Sequence, residues 1–268
     1  DPLGIDACGA AAAGADIAFY RNQGHEAIPS RGPLAALTVA GAVSGWQEAL
    51  RISEKEWGGV LPLSRLLEDA AYYAREGFPV TGSQHRNTAD KLAELLDVPG
   101  FGQTFLSQGA PPAIGASFKN PALAGTLARL ERYGLDDFYR GGLAKDLAAG
   151  LENAGSPIRA DDLANHRALS VKPLSVPLST GTVYNMPPPT QGLASLILLG
   201  VYDRLGVEAA DGFAYVHGLV EATKRAFRVR DRHLTDPAYM DIDVADFLSS
   251  ESLDKMAKSV DPAKAAPW

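Results

Sequence analysis

Cysteine is almost missing from this chain. Only Cys8 is present, so neither an intrachain disulfide nor a cysteine-based zinc cluster is possible. Such a composition fits a reducing compartment and leans toward a cytoplasmic rather than a periplasmic or secreted setting. Long apolar runs are also missing. No stretch approaches the roughly 18–20 residues that a membrane-spanning helix needs, and no signal peptide is visible. Runs of Lys and Arg are absent as well, and the formal net charge is −7. A diffuse acidic balance argues against nucleic acid and anionic membrane surfaces as partners. The five histidines are scattered. His217 and Glu221 show ligand spacing on one helix, at i and i+4, but no third ligand is evident, so the expectation is no metal. Nothing calls for a cofactor.

What remains is ordinary globular material: 268 residues, 46% hydrophobic and 21% charged. No composition shift marks a boundary, so residues 1–268 are expected to form a single domain. The chain opens abruptly at Asp1-Pro2 and reaches Ala265-Ala-Pro-Trp268 without a clear structural stop. That pattern suggests a piece of a larger polypeptide.

The alternation and turn residues around Ile17–Tyr20 and His25–Ile28 predict two short strands, joined at Asn22-Gln-Gly24 and followed by a polar loop, Ser30-Arg31-Gly32-Pro33. Helical spacing of apolar residues predicts helices at Gly45–Arg51, Leu63–Glu76, Asn87–Leu96, Asn120–Tyr133, Asp137–Leu151 and Gly212–Leu234. Gly77 closes the second of these and Asp211 caps the last. Pro99–Phe118 reads as surface loop, because it is rich in Gly and Pro. Asp161 and Asp162 read as a cap before a strand at Leu169–Val176, and Ala245–Val260 as one or two amphipathic turns. Arg230, Asp231 and Arg232 read as an ion-pair network that anchors the long helix.

The chain is organised around Thr182-Val-Tyr-Asn-Met-Pro-Pro-Pro-Thr-Gln-Gly192. A strand from Leu178 to Tyr184 runs into three prolines, which cannot donate ladder hydrogen bonds. Thr190 then stands as an N-cap before Leu193, Leu196, Ile197 and Val201, at helical spacing. From the residues alone this is a stiff elbow between strand and helix.

Met186-Pro-Pro-Pro-Thr-Gln-Gly192 also resembles the MPPPSSGG segment in the large subunit of the gamma-glutamyltransferase family. Further likenesses follow in register. Val39-Ala-Gly-Ala-Val-Ser-Gly45-Trp46 resembles VPGxVxGW, Glu76-Gly-Phe-Pro-Val80 resembles exGFpV, and Phe138-Tyr-Arg-Gly-Gly-Leu-Ala144 resembles FYxGxiA. Asp161-Asp-Leu163 with His166 resembles xeDLxxY. His217, Glu221, Lys224, Ala226 and Arg230-Asp-Arg232, with Asp236-Pro237, resemble HxxxEAxKxAxxDRdxxxxDP. The likeness covers roughly residues 14 to 260. It departs at Ala13–Phe19, which is short of the glycines of the family's GIGGGxF turn, at Ala40 for the proline of VPG, and at His166 for a tyrosine. The GNAVDAA helix that precedes that turn in the family is missing.

The resemblance implies a mixed α/β fold, part of the αββα sandwich of N-terminal nucleophile hydrolases, completed by a small subunit cut from the same precursor. It implies an acylase or amidohydrolase that works through an acyl-enzyme on an N-terminal Thr or Ser of that small subunit. A hydroxyl is a poor nucleophile until a nearby base takes its proton, and an α-amine with a pKa of about 8 can serve. No catalytic residue is therefore expected in this chain. What it would supply is recognition: Arg31 resembles the family arginine that holds the substrate's carboxylate, with Ser30 beside it. A guanidinium offers two parallel donors to a carboxylate's two oxygens. Two alternatives stand. One is a divergent member that takes a cephalosporin-type side chain or cuts a carbon–carbon bond in antibiotic biosynthesis. The other is a non-catalytic binding scaffold. Long helices on a partial sheet should also leave apolar surface exposed.

Overall fold

A computed structural model describes residues 2–268. In chain order the elements are β1 (Gly4–Asp6), α1 (Ile17–Arg21), α2 (Ala42–Trp57), α3 (Leu63–Glu76), β2 (Phe78–Pro79), α4 (Gly82–Leu95), α5 (Phe101–Phe105), β3 (Ser117–Phe118) and α6 (Pro121–Tyr133). They continue with α7 (Asp137–Arg140), α8 (Gly142–Asn153), α9 (Ala160–Asn165), β4 (Leu169–Val171), β5 (Leu174–Leu178), β6 (Gly181–Asn185), α10 (Gly192–Arg204), α11 (Gly212–His233) and α12 (Ser250–Lys258). The strands pair only two by two: β1 with β4, β2 with β3 and β5 with β6. The chain gathers into two compact units, Ala7–Leu169 and the residues up to Asp6 together with Ser170–Trp268.

The unit Ala7–Leu169 is built of helices around one core that includes Leu67, Ala74, Leu127, Leu130, Tyr139, Leu143 and Leu163. On α3 the buried residues are Leu67 and Ala74, with Leu63 and Ala71 packed beside them. Leu66 and Ala70 face outward instead, so the apolar stripe is narrower than the spacing alone suggests. Gly77 ends α3 with φ of 94°, a conformation open to glycine and costly for other residues. Asn120 caps α6 by accepting from the Leu123 amide at 3.0 Å.

Several expectations are corrected here. Ile17–Arg21 is a helix, not a strand, because the Asp16 carboxylate accepts from the Phe19 amide at 2.7 Å and, among the described residues, no strand lies alongside. Asp137–Leu151 is not one helix. The Asp137 carboxylate accepts from the Gly142 amide at 2.7 Å, and at Gly141 a Cβ would sit 1.8 Å from that carboxylate. The helix therefore breaks there into α7 and α8. The loop Pro99–Phe118 contains α5 and β3.

The second unit is a β-hairpin packed under two long helices and α12. β5 and β6 pair antiparallel, with Val176 opposite Val183, and turn at Ser179-Thr180. The segments read as two strands, Leu169–Val176 and Leu178–Tyr184, are thus cut differently, into β4, β5 and β6. Val176, Leu193, Leu196, Ile197, Val201, Ala222, Ala226 and Leu253 form the core and are wholly buried. α11 begins at Asp211, whose carboxylate accepts from the Gly212 amide at 2.6 Å. Exposed apolar side chains remain in each unit. Trp57 at the end of α2, Val60 and Leu61 in the connection that follows and Leu66 on α3 are exposed, as are Phe213, Val216 and Val220 along α11.

Candidate functional site

Arg31 stands on a loop whose base is pinned from two sides. The buried Tyr20 donates its hydroxyl to the Leu34 carbonyl at 3.0 Å, and the fully buried Ser156 donates to the Ala36 carbonyl at 2.6 Å. Gly32 takes φ of 85° and Pro33 opens a short 3-10 turn to Ala35, so the chain reverses within a few residues. Loops held this way present side chains in a defined place. The Arg31 side chain is 40% exposed and meets Glu94 of α4 at 2.9 Å. It also approaches the Ser30 hydroxyl at 3.3 Å, which brings the two expected site residues together. Glu94 accepts from Lys91 at 2.9 Å as well, and these two cations, Lys91 first, hold its carboxyl below the usual range. Arg31 therefore already holds a carboxylate, supplied by the protein, at a solvent-facing position.

Three of the blocks carrying the family resemblance, residues 39–46, 138–144 and 161–166, meet at Tyr139. Its hydroxyl donates to the Ala40 carbonyl at 2.7 Å and accepts from the Ser44 amide at 3.0 Å. Ser44 in turn accepts from the Ala168 amide at 2.7 Å. Burial pushes the phenol above its ordinary value, so it keeps the proton it donates. At Gly41 a Cβ would lie 1.7 Å from the Ala7 carbonyl, so that position is closed to any side chain. The buried His166 packs against the Tyr139 ring. Asp162 accepts from the Arg159 and Ala13 amides, both at 2.8 Å, as the cap it was expected to be.

In the second unit the Thr190 hydroxyl ties the elbow to its own backbone. Thr190 donates to the Met186 carbonyl at 3.0 Å and accepts from the Gly192 amide at 3.1 Å. The N-cap position itself falls to Gln191, one residue later than expected. A Cβ at Gly192 would meet the Met186 carbonyl at 2.1 Å, which explains a glycine opening this helix.

The charge network on α11 lies elsewhere than predicted. Arg230 pairs with Asp231 at 2.7 Å and stacks over Phe227, while Arg232 lines a surface cavity of about 450 Å³ with Lys224, Arg228 and Trp268. The buried network is Glu221, Lys224 and Arg225 instead. Glu221 is fully buried and accepts from Lys224 at 2.6 Å, from Arg225, and from the Ala266 amide at 3.2 Å. Burial alone would raise its pKa, yet the hydrogen bonds from Lys224 and Arg225 outweigh it and hold the carboxyl at about 2. His217 does not join it: its Nε2 lies 2.8 Å from the Asp261 carbonyl. The i, i+3, i+4 spacing of Glu221, Lys224 and Arg225 was visible in the sequence; their burial was not.

The sequence model of the family described as Gamma-glutamyltranspeptidase matches residues 1–268. The chain is 53% identical over 268 residues to the oxamate amidohydrolase proenzyme of Klebsiella pneumoniae, covering 100% of this chain and 50% of that protein. It is 36% identical over 252 residues to the glutathione hydrolase-like YwrD proenzyme of Bacillus subtilis, covering 91% and 47%. The chain thus spans about half the length of these curated relatives. Among solved structures, it resembles the gamma-glutamyltranspeptidase from Pseudomonas nitroreducens complexed with L-DON, with a TM-score of 0.86 at 32% identity, over 100% of this chain and 79% of that one. It also resembles the cephalosporin acylase from Bacillus halodurans, with a TM-score of 0.87 at 28% identity, over 97% and 48%. By fold and by sequence, this chain belongs to the gamma-glutamyltranspeptidase family.

Proposed function

We propose that this chain is the large-subunit part of a self-processed N-terminal nucleophile amidohydrolase whose substrate is oxamate or a similarly small amide carrying a carboxylate. The observation that carries this is the 53% identity to an oxamate amidohydrolase proenzyme along the whole chain. The Ala13–Phe19 segment supports it, since it is short of the glycines of the family's GIGGGxF turn and runs from a turn at Ala13-Gly14 into α1 at Ile17. The small subunit contributes the nucleophilic hydroxyl and its α-amine base. That hydroxyl attacks the amide carbonyl, ammonia leaves with the proton that the base delivers, and water hydrolyses the acyl ester to a dicarboxylate. Exposed apolar side chains on α2, α3 and α11 support a partner subunit, because such surface is costly in water.

Arg31 holds the substrate carboxylate in this reading, with Ser30 beside it. Its ion pair with Glu94 is half exposed, so a substrate carboxylate can exchange places with Glu94. The experiment is steady-state kinetics of the two-subunit enzyme on oxamate. Arg31→Lys loses the paired donors and should raise KM about tenfold to a hundredfold. Glu94→Gln, which frees the guanidinium, should leave KM equal or lower. An unchanged KM in Arg31→Lys refutes the assignment. Turnover of gamma-glutamyl amides but not oxamate by the unaltered enzyme refutes the substrate.

A further inference from the structure

The residues after α12 form neither helix nor strand, yet they are gripped at many points. Arg225 donates to the Ser259 hydroxyl at 3.1 Å and to the Ser259 carbonyl at 2.8 Å. His217 meets the Asp261 carbonyl, and Arg228 donates to the Pro267 carbonyl at 2.6 Å. Trp268 sets its ring edge-on to Phe227, with centroids 6.2 Å apart. The tightest hold is at Ala266. Its N–H donates to Glu221 and its C=O accepts from Lys224 at 2.6 Å, while Lys224 and Glu221 bond each other. One peptide stretch is thus gripped by both of its polar groups, whatever side chain it carries.

Burying a carboxylate with two cations is an expensive way to add stability, since well-packed apolar residues often serve as well or better. What buried charges do achieve is a unique geometry, because any shift leaves one of them unpaired. Here they define the path of an irregular segment. We infer that Glu221 and Lys224 are positioning residues for self-cleavage of the precursor, fixing the course of the chain between α12 and the peptide bond that is cut. This rests on the self-processing reading proposed above. In that cleavage the hydroxyl of the future N-terminal residue adds to the carbonyl carbon before it. The C–N bond then breaks as nitrogen takes the hydroxyl's proton, and water splits the resulting ester into a new carboxylate and the free hydroxyl. Intramolecular attack of this kind depends steeply on the approach of the reacting atoms, so an anchored upstream segment speeds it.

The test uses the full-length precursor, purified uncleaved and followed as it converts to two bands on a denaturing gel. Ala266→Pro removes the N–H that Glu221 accepts from and leaves the buried trio of charges intact. Ala266→Gly keeps both polar groups. Conversion should slow at least tenfold in Ala266→Pro and in Glu221→Gln, and should stay near the unaltered rate in Ala266→Gly. Amide exchange of the residues around 266 should rise in Ala266→Pro while its melting temperature barely moves. Once cleaved, that variant should hydrolyse substrate with unchanged kcat and KM. Conversion of Ala266→Pro at the unaltered rate overturns the inference while leaving self-processing standing. An unaltered precursor that never splits removes the self-processing reading, and this inference with it.

Discussion

Replacing Tyr139 by Phe removes one oxygen from the centre of the larger core, and the cost can be worked out from its partners. The ring is 1% exposed, so no water reaches the space left behind. Phenylalanine fills the same volume, which leaves almost no cavity contribution. Two backbone groups lose their partner: the Ala40 carbonyl, at 2.7 Å, and the Ser44 amide, at 3.0 Å. Ser44 lies in the first turn of α2, where helix amides have no intrahelical acceptor, and the residue is buried. An orphaned buried group costs about 1–3 kcal/mol; Ala40 itself is exposed, so water takes over part of its carbonyl's loss and the pair should cost about 2–4 kcal/mol. Urea denaturation of the purified protein measures this as a lower midpoint at unchanged slope. With a slope of about 2 kcal/mol per molar, the midpoint should fall by about 1–2 M. A loss below about 0.5 kcal/mol would show that Tyr139 is not the joint between these blocks of sequence.

Leu196→Ala in the wholly buried face of α10 should cost about 2–5 kcal/mol by denaturant titration, whereas the same change at the partly exposed Leu199 should cost far less. Equal losses at both would contradict the burial of that face. Glu221 also implies a pH dependence. Its carboxyl titrates near 2 when folded, against 4.5 ordinarily, so the unfolded chain binds the extra proton in between. Its stabilisation is complete above about pH 4.5 and is lost as pH falls toward 2. Thermal melts across that window should therefore decline more steeply for the unaltered chain than for Glu221→Gln, and parallel curves would argue against the buried ion cluster.

Local chemistry made some elements legible from the residues alone. α3, α6 and α11 begin and end close to where caps and apolar spacing place them, because Asn120, Asp211 and Gly77 act within a turn or two of their own position. Ile17–Arg21 misled for the complementary reason. β-branched and aromatic residues favour a strand only when another strand lies alongside, and without one the Asp16 cap prevails. Gly141 was legible as a small residue, but not as the point where Asp137 folds back to break a helix. The pair Ser30–Arg31 could be picked out by resemblance, whereas its partner Glu94 could not, since a surface glutamate on a distant helix carries no local mark.

The order of motifs along the chain, and with it family membership, was settled by residues whose spacing survives without any coordinates. Tertiary structure alone decided that Tyr139 ties Ala40 to Ser44, that Glu221 is sealed from water, and that it grips Ala266. Periodicity reports which face of an element avoids water. Which distant backbone group completes a buried charge depends on how whole elements pack, and no short stretch of sequence contains that information.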